Sequence, residues 1–391
     1  MSEEKEKPNF TKDKSIHSLQ SPIFLTAKRV TGQVIIPKAA EEETNTRLIS
    51  PPLLTRKASM KGNILRFNDN LNYFLQRKLI ITSFGSVRVG FALNESREDN
   101  GLTYTAKPPL KNSHCPYPLD MVAIKLFDRE RIEENTNTIS PLPKAMKELA
   151  ALSKMAEHYE HEGDDDSPRF VEYSSYIGQD KFSYYAVAPF YGEGTLFQYV
   201  VERGTLPEPV ARHFFQQILK GLTTLREVGM CHRNINLTTI QLQGENCAIT
   251  DLSSCIQLIS DDNTSKQLLP PECAQGGNPR YIPPEVVRME HFDGHDADLW
   301  AAGICLCQMI WGMEAPFVWA SSEDARYQKM QDVGSNKSNM SGVCGIIHSM
   351  LRADPGERLS LDQILQHDWM QNKDTQAPSF LAEKKNAKPA A

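Results

Sequence analysis

Ten consecutive residues, Cys231-His232-Arg233-Asn234-Ile235-Asn236-Leu237-Thr238-Thr239-Ile240, bring together an imidazole, a guanidinium, two amides and two hydroxyls. Groups of this kind bind phosphate or metal ions. Asn234 and Asn236 are amides that take no proton at neutral pH, so neither is a general base. The eight cysteines, at 115, 231, 247, 255, 273, 305, 307 and 344, include no C-x-x-C pair, which argues against a zinc site or a disulfide framework. Arg56-Lys57-Ala58-Ser59 puts an arginine three residues before a serine. That spacing fits a basic-directed phosphosite at Ser59, and it also arises by chance.

The surrounding pattern must position the loop. Leu79-Ile80-Ile81 and Ser86–Ala92 read as strands joined by a turn containing Gly85, and Met121–Phe127 is a β-branched apolar strand. Residues 94–119 are polar and rich in Asn, Pro and Lys, which predicts a long loop. Pro143–Met155 has helical spacing, with Met146, Leu149, Leu152 and Met155 on one side. The acidic run Glu162–Asp166 predicts a solvated loop, and Phe170–Tyr173 and Phe182–Ala188 predict strands. After Pro189 helices take over: Glu208–Met230, with Val210, Phe214, Ile218 and Leu222 in one stripe, then Asp296–Met313, Ser341–Arg352 and Leu361–Trp369. Strands first and helices second, with one crossing near 189–194, predict a two-lobed α+β protein with a cleft between the lobes. Residues 1–65, rich in Lys, Glu, Ser, Thr and Pro, read as a disordered arm, and 372–391 as a flexible tail.

A net charge of −6 with both signs present, and no basic patch with interleaved aromatics, argue against a dedicated nucleic-acid binder. The N-terminus lacks the apolar core of a signal peptide. Leu299–Met313, which contains Gln308, is too short to span a bilayer and reads as a buried helix. These features predict no membrane partner and favour a cytoplasmic location, with the nucleus as the second choice.

Several short motifs then fall in one order. They are Val122-Ala123-Ile124-Lys125, Glu148 in the next helix, Gly192-Glu193-Gly194-Thr195-Leu196-Phe197, Cys231-His232-Arg233 and Asp251-Leu252-Ser253. Gly277-Asn278-Pro279-Arg280-Tyr281-Ile282-Pro283-Pro284-Glu285, Asp298-Leu299-Trp300-Ala301-Ala302-Gly303 and Asp354-Pro355 with Arg358 follow. Each is weak alone; together, over 73–371, they resemble the eukaryotic protein kinase family, the Ser/Thr kinases more than the Tyr kinases. The resemblance implies a bilobal fold, with a small β-rich N-lobe at 73–188 and a larger helical C-lobe at 189–371. It implies that Lys125 and Glu148 orient the phosphates of ATP, or else brace the upper lobe as an ion pair. Gly85 would lie at the phosphates, or serve only as a turn glycine. Val87, Ala123, Ala188 and Gln241 would surround the adenine, with Ala188 leaving the back of that pocket open. Asp251 would hold Mg2+, or cap local amides. His232, Arg233 and Asp298 take architectural roles, and Glu285 pairs with Arg358. Arg233 is also placed to receive a phosphate from Thr264 or Ser265, against a purely structural role.

The departures from the family pattern concentrate where phosphate would move. Asn234 stands at the proton-acceptor Asp, Asn236 at the usual Lys, and Thr239 at the metal-binding Asn. Ile80 and Thr82 replace the first two glycines of the phosphate loop, and Asn278 replaces a Thr. Three readings follow. The first is a pseudokinase acting as allosteric regulator or scaffold toward a protein partner, such as an active kinase, with ATP as a ligand. The second is a Ser/Thr kinase with weak ATP-dependent transfer. The third is a nucleotide-blind structural module.

Overall fold

A computed structural model describes residues 56–67, 71–98, 101–107, 121–134, 143–161, 168–258, 268–274, 278–314, 316–335 and 342–374. The first part of the chain forms strands β1 (Arg56–Lys61), β2 (Ile64–Phe67), β3 (Asn72–Thr82), β4 (Gly85–Glu98), β5 (Gly101–Ala106) and β6 (Met121–Asp128). Helices α1 (Arg129–Glu134) and α2 (Lys144–His161) follow, then β7 (Tyr176–Gln179) and β8 (Ser183–Pro189). The strand order is β3-β2-β1-β7-β8-β6-β4-β5, and β3 also pairs with β4, so seven strands close into a ring with β5 added outside. The closing pair is parallel, with Arg56 opposite Gly178 and Lys57 opposite Gln179.

Alternation explains how the ring is filled. Leu65 and Phe67 of β2, Tyr73 and Leu75 of β3, Ile124 of β6 and Tyr185 and Val187 of β8 form one buried cluster inside it. Gly178 makes room for this packing, because a Cβ there would lie 2.3 Å from Cε1 of Phe67.

The second part contains α3 (Leu196–Arg203), α4 (Glu208–Glu227), the short β9 (Met230–Cys231), and the hairpin β10 (Ile240–Gln243) and β11 (Asn246–Ile249). Strands β12 (Ile256–Gln257) and β13 (Leu268–Leu269), helix α5 (Pro284–Val287) and β14 (Phe292–Asp293) lead to α6 (Gly294–Trp311). Helices α7 (Ala325–Ser335), α8 (Gly342–Met350), α9 (Leu361–Gln366) and α10 (Asp368–Gln371) complete the described chain. Asp293 caps α6 by accepting from the backbone N–H of His295 and Asp296. From Asp298 to Met309 every residue of α6 is buried, so this helix is the axis of the lobe. Val210, Phe214, Ile218 and Leu222 of α4 pack in the same core, which also takes in Leu149, Leu152 and Met155 of α2.

The α+β order of strands then helices matches the sequence reading, and four local expectations are corrected. The arm expected at 1–65 gives way at residue 56 to β1 and β2, whose inward residues find their partners far along the chain in β7; residues 1–55 lie outside the described residues. The loop expected at 94–119 is shorter, because β4 runs on to Glu98 and pairs antiparallel with β5. Its polar residues do not prevent pairing outside the ring, where burial is not required. Phe170–Tyr173 forms no strand; Val171 makes one isolated bridge to Ile249. Leu361–Trp369 is broken at His367, whose Nδ1 accepts from the N–H of Trp369 and starts α10. The acidic run Glu162–Asp166, the phosphosites Thr264 and Ser265, and the tail beyond residue 374 lie outside the described residues. Ser59 sits exposed on β1, opposite Arg66 of β2, within a paired strand rather than a free arm.

Candidate functional site between the lobes

Lys125 lies on β6 with its ammonium directed to the cleft, where burial leaves it 9% exposed. Its Nζ donates to Oε1 of Glu148 on α2 at 2.7 Å and to Oε2 of Glu172 at 2.8 Å. Burial alone would lower the lysine pKa, but the two carboxylates overcome that and hold it above its ordinary value. Burial raises the Glu148 carboxyl; Lys125 opposes the rise, and the neighbouring charges of Glu172 and Asp251 add to it. Glu172 is absent from the sequence-based set. The signal was there: a carboxylate inside the apolar run Phe170-Val171-Glu172-Tyr173 is buried only with a partner.

The loop after β9 is closed on itself. Asn236 Nδ2 donates to the carbonyl of Asn234 at 2.9 Å and to its Oδ1 at 3.2 Å, while Asn236 Oδ1 accepts from the N–H of Thr238. The Thr239 hydroxyl is buried and donates to the carbonyls of Asn234 and Asn236. The carboxylate of Asp251 is held from both sides. Ser253 Oγ donates to Oδ1 at 2.7 Å, and Asn234 Nδ2 reaches Oδ2 at 3.5 Å. Arg233 and Asp251 both have left-handed backbones, at φ 63° and 64°. A side chain in that region costs about 1–3 kcal/mol, so the surrounding bonds must hold it there.

Asp298 supplies those bonds at Arg233. Its Oδ2 accepts from the N–H of His232 at 2.6 Å and its Oδ1 from the N–H of Arg233 at 2.7 Å. The Arg233 guanidinium donates to the carbonyl of Ser254. Burial pushes the Asp298 carboxyl up to about 7, against the two N–H donors and the Arg233 cation. His232 Nε2 bonds to the carbonyl of Thr250 at 3.0 Å, and Nδ1 accepts from the N–H of Asn234 at 3.2 Å. This pair of bonds requires the neutral ring with its proton on Nε2, and burial lowers the His232 pKa accordingly.

A pH dependence follows. The unfolded chain takes up the His232 proton first, so this residue's stabilisation is full above the ordinary 6.5 and is lost as the pH falls below it. Asp298 acts oppositely: its contribution is full below 3.8 and is lost as the pH rises through about 7. At a pH of about 6, ring 15N shifts should show His232 neutral while exposed histidines are substantially protonated. A charged His232 at that pH would refute the assignment.

The remaining predicted residues line the cleft or brace it. Gly85 follows the two-residue turn of the β3–β4 hairpin, and a Cβ there would lie 1.9 Å from the carbonyl oxygen of Leu126. Close approach to β6 therefore explains this glycine without a ligand. Val87 pairs with Lys125, and Ala123 with Ala188. Ala188 is buried, 1% exposed. Gln241 sits on β10 and bridges to Thr195. Away from the cleft, Arg358 grips Glu285 through two parallel bonds of 2.8 and 2.6 Å. Below the loop lies a small, half-open and mainly apolar pocket of about 50 Å³, lined by Asn234, Tyr281, Ile282, Val286, Phe292 and Ala301 among others.

A strand ring above, a helical lobe on a buried axis below, and a lysine–carboxylate pair in the cleft are the architecture of a protein kinase. The protein kinase domain family matches residues 118–370, so the chain belongs to that family. It is 30% identical over 185 residues to the probable serine/threonine-protein kinase MARK-B of Dictyostelium discoideum, covering 45% of this chain and 24% of that protein. It is 29% identical over 203 residues to the probable serine/threonine-protein kinase HSL1 of Saccharomyces cerevisiae, covering 51% of this chain and 13% of that protein. The chain thus spans about a quarter or less of the length of these relatives.

Kinase domains in general bind ATP with Mg2+, and the residues here fit that pair poorly. The Asp251 oxygens are engaged by Ser253 and Asn234, the Thr239 hydroxyl is turned into the loop, and the Lys125 ammonium already has two carboxylates. Among the described residues no group of three or more His, Cys, Asp or Glu is arranged to hold a metal ion, and no helix is long and apolar enough to cross a membrane.

Proposed function

We propose that this protein is a pseudokinase: a kinase-fold regulator or scaffold that binds a protein partner and transfers no phosphate. The observation that carries this reading is the self-satisfied loop, in which Asn234 replaces a proton acceptor and donates toward Asp251 instead. Phosphoryl transfer depends on positioning and charge stabilisation, and these groups are committed to one another. Loss of a general base alone slows such a reaction by about 10²–10⁴-fold. The small apolar pocket beside Asn234 offers a seat for a side chain of the partner, an active kinase or a substrate held at the helical lobe.

A second reading, a Ser/Thr kinase with weak transfer, is favoured by the formed Lys125–Glu148 pair and by the names of the relatives. A radiolabelled transfer assay with ATP and Mg2+ separates the two. The native chain should give no more transfer than Lys125→Ala or Asp251→Ala. Asn234→Asp alone should stay at that background, because Asn236 and Thr239 are unchanged. Transfer by the native chain that both Ala variants abolish would establish the second reading.

A further inference from the structure

Glu172 has its backbone in one lobe and its charge in the other. The N–H of Ile249 donates to the carbonyl of Phe170 at 2.9 Å, and the N–H of Glu172 to the carbonyl of Ile249 at 2.8 Å. These bonds tie Glu172 to β11 of the helical lobe, just ahead of Asp251. Its side chain, only 4% exposed, reaches Lys125 on the strand ring at 2.8 Å, and the same oxygen accepts from the N–H of Asp251 at 3.3 Å. One carboxylate thus joins the lysine of one lobe to the loop of the other. Glu148, from the strand-rich side, already supplies Lys125 with a counter-charge at 2.7 Å.

Charge decides what such a site accepts. One buried ammonium faces two carboxylates in contact, with Asp251 close enough to perturb Glu148. An isolated buried lysine would attract phosphate; this one is already more than neutralised. A phosphate entering the cleft would have to displace a buried carboxylate or share its space, and both are disfavoured where water screens little.

We propose that Glu172 is a built-in counter-ion that occupies Lys125 in place of an anionic ligand, joining the two lobes without nucleotide and excluding phosphate from the cleft. The proposal rests on the pseudokinase reading and deepens it, because lobe closure would then be set by the chain itself and not by nucleotide.

The test is nucleotide binding by the native chain and by Glu172→Gln, which keeps the shape and a hydrogen-bonding oxygen while removing the charge. Glu172→Met, of similar length and apolar, is the second variant should the first fail to fold. ADP is the probe, in titration calorimetry and thermal unfolding, without metal and then with Mg2+. The native chain should bind ADP no tighter than about 1 mM, and either variant should gain about tenfold or more. Adding Lys125→Ala to the variant should abolish the gain. Backbone N–H exchange at Glu172 and Asp251 should rise in the variants when no nucleotide is present. Submillimolar ADP binding by the native chain overturns the proposal whatever the variants do. A folded variant with no gain overturns it equally, leaving Glu172 as a simple brace. Both outcomes differ from failure of the pseudokinase reading, which only Lys125- and Asp251-dependent transfer by the native chain would bring about.

Discussion

Replacing Glu285 by Ala should lower stability by about 3–5 kcal/mol, the range for breaking one half of a buried ion pair. The pair is bidentate, at 2.8 and 2.6 Å, and its side chains are 4–5% exposed. Without Glu285 the Arg358 guanidinium keeps one bond, from Nε to the carbonyl of Arg352, and its stack on the Trp300 ring at 4.7 Å. Neither removes the cost of an uncompensated buried charge. The cost therefore belongs to the orphaned partner and not to the contact itself. Glu285→Met combined with Arg358→Leu should accordingly recover most of the loss, because apolar pairs of similar volume often replace a buried ion pair without penalty. Urea midpoints for the single and double variants measure this. A single variant within about 1 kcal/mol of the native chain would mean that water reaches the pair.

Phe67→Ala should cost about 3–5 kcal/mol, the usual range for emptying an aromatic site in a core. The ring of Phe67 meets Tyr73 edge-on with centroids 6.1 Å apart, lies 6.1 Å from Tyr176, and fills the space that Gly178 leaves free. It joins strands that meet only through the short β1–β7 pairing, so the cavity would weaken the closure as well as the packing. The damage should be local, because the cluster inside the ring is separate from the core around α6. Hydrogen exchange should show lost protection in β1, β2 and β7, with α4 and α6 little changed. Uniform loss across both lobes would show that they unfold as one unit.

Much of this was legible in the chain. The stripe Val210, Phe214, Ile218 and Leu222 is buried as its spacing requires, and the continuous apolar run of α6 is the signature of a helix buried all round. Lys125 and Glu148 meet as the kinase resemblance implied. What escaped depended on partners far away in sequence. In Arg56–Phe67 the charged Arg56, Lys57, Lys61 and Arg66 interrupt the apolar Met60, Ile64, Leu65 and Phe67, so local composition resembles an arm; burial comes from β3 and β7. The turn Gly62-Asn63 between alternating residues was the overlooked hairpin signal. Phe170–Tyr173 has strand composition, yet its apolar side chains serve the lobe junction and Glu172 serves the cleft. No spacing rule relates Glu172 to Lys125, because their meeting is a property of the assembled lobes.

The strand ring also bears on how the chain is made. Synthesis runs from the N-terminus, and β1 cannot find its parallel partner until residues 176–179 have left the ribosome. At ordinary elongation rates that wait is on the order of ten seconds. During it β1, β2, β3 and β4 can form a meander whose β1 edge is unpaired and whose Leu65, Phe67 and Leu75 have no cover from β7 and β8. The finished ring leaves only β5 as an outer strand, while the growing chain carries an open apolar sheet. Demand for chaperones should therefore fall in the interval between emergence of β4 and arrival of β7, and a premature stop in that interval would release the form of this protein most prone to aggregate.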